Sequence, residues 1–255
     1  MTTRAILKFA QAALLLALLL AASACKRSHS ETTVAAAASL RAVMPVVLAA
    51  FEQREPGPAI VVTYGASGTL RQQVEGGAPI DLVVFASAEP VDKLIQENLV
   101  DPKSRHVVAR NRLVLVGPRG GAPITFATLA ALGPRDQLAI GEPTSVPAGA
   151  YAERALKTLG AWDVVRPKLV FGGDVTAALT YARRGEVRAA IVYATDVRGL
   201  GDVVVLDTLD EARSPRIEVV AGAVTASPRA HALLDFIRSD EGQRVFDSFG
   251  FQRPQ

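Results

Sequence analysis

The chain has 255 residues, 49% of them hydrophobic, which is enough apolar mass for one or two compact domains. Its 28 Lys and Arg against 25 Asp and Glu give a formal charge of +3, and only 5% of residues are aromatic. The basic residues are scattered and do not alternate with stacking side chains, so a nucleic-acid partner is excluded.

Residues 1–24 read as a secretion signal. Arg4 and Lys8 form a short basic start, and Ala12 to Ala22 is an unbroken run of Ala and Leu. That run is shorter than the ~20 residues that span a bilayer. Ala22-Ser23-Ala24 then offers a small-x-small cleavage pattern. Without Arg4 and Lys8, 26 basic side chains face 25 acidic ones, so the mature chain is close to neutral. Cys25 is the one cysteine, which rules out an internal disulfide. Its position directly after the cleavage pattern resembles a lipobox, whose cysteine carries the lipid anchor. Ala22 departs from that motif, which usually has Leu there, and ordinary cleavage after Ala24 is the alternative. Residues 25–32 then form a polar tether.

Beyond the tether, short apolar runs alternate with amphipathic stretches. Residues 33–37 predict a strand that ends at Ser39. Leu40, Val43, Met44, Val47, Leu48 and Phe51 follow with helical spacing. Pro45 lacks a backbone donor and predicts a bend or a late start in that helix. Ala59 to Tyr64 predicts a second strand, and Thr69 to Glu75 a short helix. Asp81 to Ala86 predicts a third strand, and Pro90 opens a helix with Val91, Leu94, Ile95 and Leu99 inward. This βαβαβα order predicts an open, mostly parallel sheet with both faces covered.

Leu113 to Val116 and Leu138 to Gly141 predict strands, Glu142 to Gly149 a loop and Tyr151 to Leu159 a helix. Asp174 is an expected N-cap for the helix that follows it. Val187 to Tyr193 is almost continuously apolar, as in the middle of a sheet. Val203 to Leu206 and Ile217 to Val224 predict further strands, before two closing helices near 229–238 and 241–249. That many strands fits two α/β lobes around a cleft better than one sheet.

Little in the sequence calls for an enzyme. The three histidines, His29, His106 and His231, have no metal-ligand spacing to one another, to Cys25 or to an acid. Ser67 lies in Gly-Ala-Ser-Gly, which is not a nucleophile elbow, and no phosphate-binding Walker loop is present. An envelope serine hydrolase using Ser67 remains the alternative of a different class. The stronger signal is small residues at strand-to-helix turns: Ser39, Ser67, Val146 to Gly149, and Asp174-Val175. A helix N-terminus offers free N–H groups and partial positive charge to an anion. Capping by Ser39, Ser67 and Asp174 is the competing explanation.

Several motifs, taken in order, resemble the periplasmic molybdate-binding family. They are Ala-Ala-Ala-Ser-Leu at 36–40, Ser-Gly-Thr-Leu at 67–70 and Gly-Ala-Pro-Ile-Asp-Leu at 77–82. Val-Pro-Ala-Gly-x-Tyr-Ala at 146–152, Leu-Gly-Ala-Trp-Asp at 159–163, Ile-Val-Tyr at 191–193 with Thr195-Asp196, and Gly250-Phe251 complete the set. The resemblance runs from about residue 33 to 251. It implies a type II periplasmic-binding-protein fold with two lobes, each a mixed, mostly parallel sheet flanked by helices. The implied lobes are 33–111 with 216–255, and 112–215.

The resemblance further implies a monomeric, exported binding protein of an ABC importer that takes molybdate or tungstate and passes it to a membrane permease. No cofactor is implied. The family's binding serines fall on Ser39 and Ser67, its backbone donors on Ala148 and Val175, and its tyrosine on Tyr193. Gly68 departs from a serine common in relatives, and Gly173 from a common acid. Sulfate, phosphate or an organic acid on the same fold is the nearest alternative, because a fold does not set its ligand.

Overall fold

A computed structural model describes residues 31–254. The expected signal 1–24, the lipid-bearing Cys25 and the tether as far as Ser30 lie outside the described residues. No helix among the described residues is long and apolar enough to cross a membrane.

Strand β1 (Thr32–Ala37) is a run of small and β-branched residues that alternates between two apolar layers. Val34 and Ala36 pack with Val47, Phe51 and Leu233, whereas Ala35 packs on the opposite face with Leu70, Val91 and Leu94. A strand covered on both faces needs no polar alternation, and this explains its uniform apolar character. A single 3-10 turn, Ala38–Leu40, follows β1. Helix α1 (Met44–Arg54) starts late and holds Pro45 in its first turn, where a missing N–H leaves no bond unmade. Next come β2 (Ile60–Gly65), α2 (Ser67–Glu75), β3 (Leu82–Phe85), α3 (Ala88–Gln96) and β4 (His106–Asn111).

The second half opens with β5 (Leu113–Pro118) and continues through β6 (Leu138–Gly141), α4 (Pro147–Thr158) and the short α5 (Trp162–Val165). It then runs through β7 (Leu169–Gly172), α6 (Val175–Arg183), β8 (Ala189–Tyr193) and β9 (Val203–Thr208). Strand β10 (Ile217–Ala223) returns to the first sheet, and α7 (Pro228–Arg238) and α8 (Asp240–Ser248) close the chain.

The two five-stranded sheets have orders β2-β1-β3-β10-β4 and β7-β6-β8-β5-β9. They are built alike. In each, one strand, β10 or β5, runs antiparallel to both neighbours, so the other four share a direction. Strand β8 lies at the centre of its sheet, and all five of its residues are buried.

The chain crosses between the sheets at Arg112 and again between β9 and β10. The buried Asn111 ties the first crossing down: its amide donates to Thr195 Oγ1 at 2.8 Å and its carbonyl accepts from Arg112 N at 2.9 Å.

Several elements differ from the sequence reading. Strands β4 and β7 were not anticipated: the apolar stretch of β4 is three residues flanked by His106 and Arg110, and that of β7 is the three residues Leu169 to Phe171 on a half-exposed edge. Helix α2 begins at Ser67 rather than Thr69, and β8 begins at Ala189 rather than Val187. Helix α4 begins at Pro147, so Pro147 to Ala150 are helical and not part of the preceding loop. Gly149 permits this, since a Cβ there would overlap the Gly141 carbonyl oxygen. Without a side chain at Gly149, the first turn of α4 can sit directly on the end of β6.

Candidate functional site

Strand ends from both sheets converge on one small, narrow pocket. The first sheet contributes the turns after β1 and β2 and the residue after β3. The second contributes the start of α4, the turn after β7 and the end of β8. Ser39, Ser67, Ala148, Val175 and Tyr193 all line this pocket. Ligands of open α/β sheets occupy this position, beyond the carboxyl ends of the strands.

Local structure determines what each residue presents. Ser67 is the first residue of α2, Val175 the first of α6 and Ala148 the second of α4. Ser39 is the middle residue of the 3-10 turn. At these positions the backbone N–H has no acceptor within its own helix, so it is free for a group in the pocket. Neither serine makes a side-chain cap bond to its own helix. Capping does account for Asp174, whose Oδ1 accepts from Ala177 N at 2.8 Å.

The Ser67 side chain is wholly buried, and its Oγ accepts from Ala86 N at 3.1 Å. That bond fixes the oxygen and leaves the hydroxyl proton to be donated elsewhere. Tyr193 is 1% exposed, and its hydroxyl is buried with no hydrogen-bond partner among the described residues. Burial pushes the Tyr193 phenol well above its ordinary value of 10, with nearby Tyr151 and Asp196 adding to the shift and Arg154 opposing it. The hydroxyl therefore keeps its proton and remains a donor.

No Lys, Arg or His side chain lines the pocket. Behind it, the carboxyl of Asp196 accepts from Tyr193 N at 3.0 Å. Burial raises the Asp196 pKa to about 8, the Tyr193 N–H lowers it and Asp174 raises it further. At neutral pH the proton on Asp196 limits the negative charge beside the pocket. The arrangement offers hydroxyl and amide donors without a cationic side chain, which suits a small anion bound through neutral hydrogen bonds. It does not suit acyl transfer, because Ser67 Oγ accepts from Ala86 N, Asp174 is engaged as a helix cap and no histidine or lysine lines the pocket.

Sequence reasoning missed part of the apolar lining. Ala38, Ala66 and Ala86 form pocket walls beside Val146 and Pro147 of the turn already singled out. Their signal was weak, since small apolar residues at strand ends look like ordinary core. Asp196 was noted within a motif but not as a neighbour of the pocket, because nothing local shows that its carboxyl accepts from Tyr193 N.

Outside the pocket, a wider cleft of about 660 Å³ opens between the sheets and is lined by charged residues such as Arg71, Lys93, Arg154 and Glu218. Arg154 lies over the Tyr151 ring, 4.6 Å from its centroid.

Comparison with known proteins gives a consistent picture. The profile of a family described as bacterial extracellular solute-binding protein matches residues 32–252. The molybdate-binding protein ModA of Escherichia coli is 33% identical over 222 residues, covering 84% of this chain and 86% of the relative. A putative ABC transporter substrate-binding lipoprotein, YvgL of Bacillus subtilis, is 33% identical over 220 residues, covering 84% of each. The solved substrate-binding domain of a putative molybdenum ABC transporter from Clostridium difficile superposes with a TM-score of 0.67 at 30% identity. That match covers 88% of this chain and 99% of the other.

Proposed function

The chain belongs to the bacterial extracellular solute-binding proteins, and we propose that its solute is molybdate, with tungstate an equivalent ligand. It is a binding protein and not an enzyme. One observation carries the reading: the buried, unpartnered hydroxyl of Tyr193 faces a pocket ringed by helix N-termini. A buried donor without an acceptor costs roughly 1–3 kcal/mol. An oxyanion in the pocket removes that cost and supplies the missing acceptor.

In this reading Ser39 and Ser67 donate through hydroxyl and backbone N–H, Ala148 and Val175 through backbone N–H, and Tyr193 through its phenol. The lobes 33–111 with 216–255, and 112–215, move about the crossings near Arg112 and residues 209–216. An open cleft admits the anion, and contacts from the second lobe shift the equilibrium toward the closed form. The closed form is what the membrane permease recognises, and the protein acts as a monomer. Neutral donors hold a dianion without a salt bridge that would impede its release. Discrimination against sulfate follows from size, since a smaller oxyanion leaves some donors unpaired. Export through residues 1–24 and lipid attachment at Cys25 complete the proposal. Similarity to a relative named as a lipoprotein supports the latter.

Isothermal titration of residues 26–255 with molybdate, tungstate, sulfate and phosphate tests the reading. Tight one-to-one binding of the first two, with the others silent, is the expected result. Heat from sulfate or phosphate alone would transfer the site to that anion, and silence toward all four would remove the oxyanion reading.

A further inference from the structure

The first turns of α4 lead from the small pocket into the wide outer cleft. Ala148 lines the pocket, Tyr151 and Arg154 line the cleft, and Pro147 lines both. Steps of three and four residues place these positions along one face of the helix. Arg154 lies roughly 9 Å beyond Ala148 along the helix axis. Helical side chains lean toward the N-terminus, and the Arg154 guanidinium lies back over the Tyr151 ring, 4.6 Å from its centroid. A positive charge is thereby carried toward the pocket without entering it.

The charge balance of the cleft sets this residue apart. Three of its cations are neutralised by ion pairs: Arg71 with Glu75, Lys93 with Glu89 and Arg216 with Glu218. The remaining acid of the lining, Asp92, is paired with Arg105. Glu153, the chain neighbour of Arg154, is held by Lys157. Arg154 is exposed and, among the described residues, has no ion-pair partner. Its field also reaches the pocket wall: burial raises the Tyr193 phenol, and the positive charge of Arg154 opposes that rise.

We propose that Arg154 is the capture residue for the anion: it draws the oxyanion into the cleft along α4 and delivers it to a pocket that has no cation of its own. Attraction and recognition are then separate tasks. The exposed charge in the cleft speeds the encounter, as charged clefts do for ligands of opposite sign, and the neutral donors of the pocket hold the ligand. The reach of an exposed charge is about 8 Å at physiological ionic strength and about 30 Å near ~0.01 M salt. Capture by Arg154 therefore acts on the association rate and fades with salt. This rests on the reading of the pocket as an oxyanion site and adds how that site is reached.

Stopped-flow mixing with molybdate, from roughly 0.01 to 0.5 M salt, compares the wild type with Arg154→Gln, Arg154→Lys and Arg135→Gln. Arg135 is an exposed cation ahead of β6, at the opposite end of that strand from the pocket, so its loss changes the net charge equally. Arg154→Gln is expected to associate about fivefold more slowly at low salt and like the wild type at high salt, with dissociation unchanged. Arg154→Lys should restore the rate, and Arg135→Gln should match the wild type. Thermal unfolding shows that each variant is folded. Wild-type association by Arg154→Gln at low salt would overturn the capture role. Equal slowing in Arg135→Gln would reduce it to net charge, failure of lysine to rescue would make Arg154 a packing group over Tyr151, and faster dissociation would make it a contact of the bound ligand; each of these also overturns it. All four results leave the pocket reading intact, whereas a wild type that does not bind molybdate would overturn both.

Discussion

The two lobes present different faces to the pocket. The first supplies serine hydroxyls together with the N–H groups of the same residues, and one hydroxyl is anchored: Ser67 Oγ accepts from Ala86 N within its own lobe. The second supplies the N–H groups of Ala148 and Val175, whose side chains carry no polar atom, and the phenol of Tyr193, which has no partner. The first lobe thus contains a donor already held in place, and the second contains one that is satisfied only by an acceptor in the pocket. On the proposed reading, a ligand would gain specificity from the preorganised face, and the unsatisfied face would gain most from closure.

The largest effect that would break this comparison is expected from Ser67→Ala. It removes a donor from the pocket and leaves Ala86 N–H buried without an acceptor. Molybdate affinity should fall about 100-fold, or ~2.8 kcal/mol. Unfolding should occur at lower temperature, since an orphaned buried N–H costs roughly 1–3 kcal/mol. Ser39→Ala is the contrasting case, because the Ser39 hydroxyl caps nothing. Its affinity should fall more than tenfold with the unfolding temperature unchanged. Titration and calorimetry on both variants separate the anchored serine from the free one, and equal thermal effects would erase the distinction.

A smaller effect is expected on the other lobe. Tyr193→Phe removes a hydroxyl that has no partner in the ligand-free protein, so affinity should fall about tenfold, ~1.4 kcal/mol. Stability without ligand should hold or rise. A loss of ligand-free stability would mean that the hydroxyl has a role inside the fold and is not waiting for an anion.

The smallest effect concerns pH. The Asp196 pKa is raised to about 8, from roughly 3.9 in an unfolded chain. Between those values the folded state holds a proton that the unfolded state releases, so this group makes stability decline as pH rises. The decline should begin near pH 4 and flatten above pH 8. Asp196→Asn keeps an acceptor for Tyr193 N–H but does not titrate, so its unfolding temperature should fall less over the same range. Parallel pH profiles for the two proteins would show that Asp196 is not held protonated.

The sequence by itself determined the periodicities, and through them most strands, most helices and the repeated strand-turn-helix order. Uniformly apolar runs such as 34–37 and 189–193, short and followed by turns, read as covered strands, and Asp174 announced the helix that it caps. Strands β4 and β7 were passed over because each shows only three consecutive apolar residues, too short a run to separate a strand from a loop before its neighbours are known. The start of α4 depended on the approach of Gly149 to Gly141, a contact between segments that local propensity does not encode. Only the tertiary structure decided how Ser39, Ser67, Ala148, Val175 and Tyr193 are disposed. They are far apart along the chain and share one pocket because two separate sheets bring their strand ends together. It also decided which hydroxyl is already engaged and which has no partner among the described residues. These are distances between residues remote in sequence, fixed by packing rather than by the order of amino acids along any one segment.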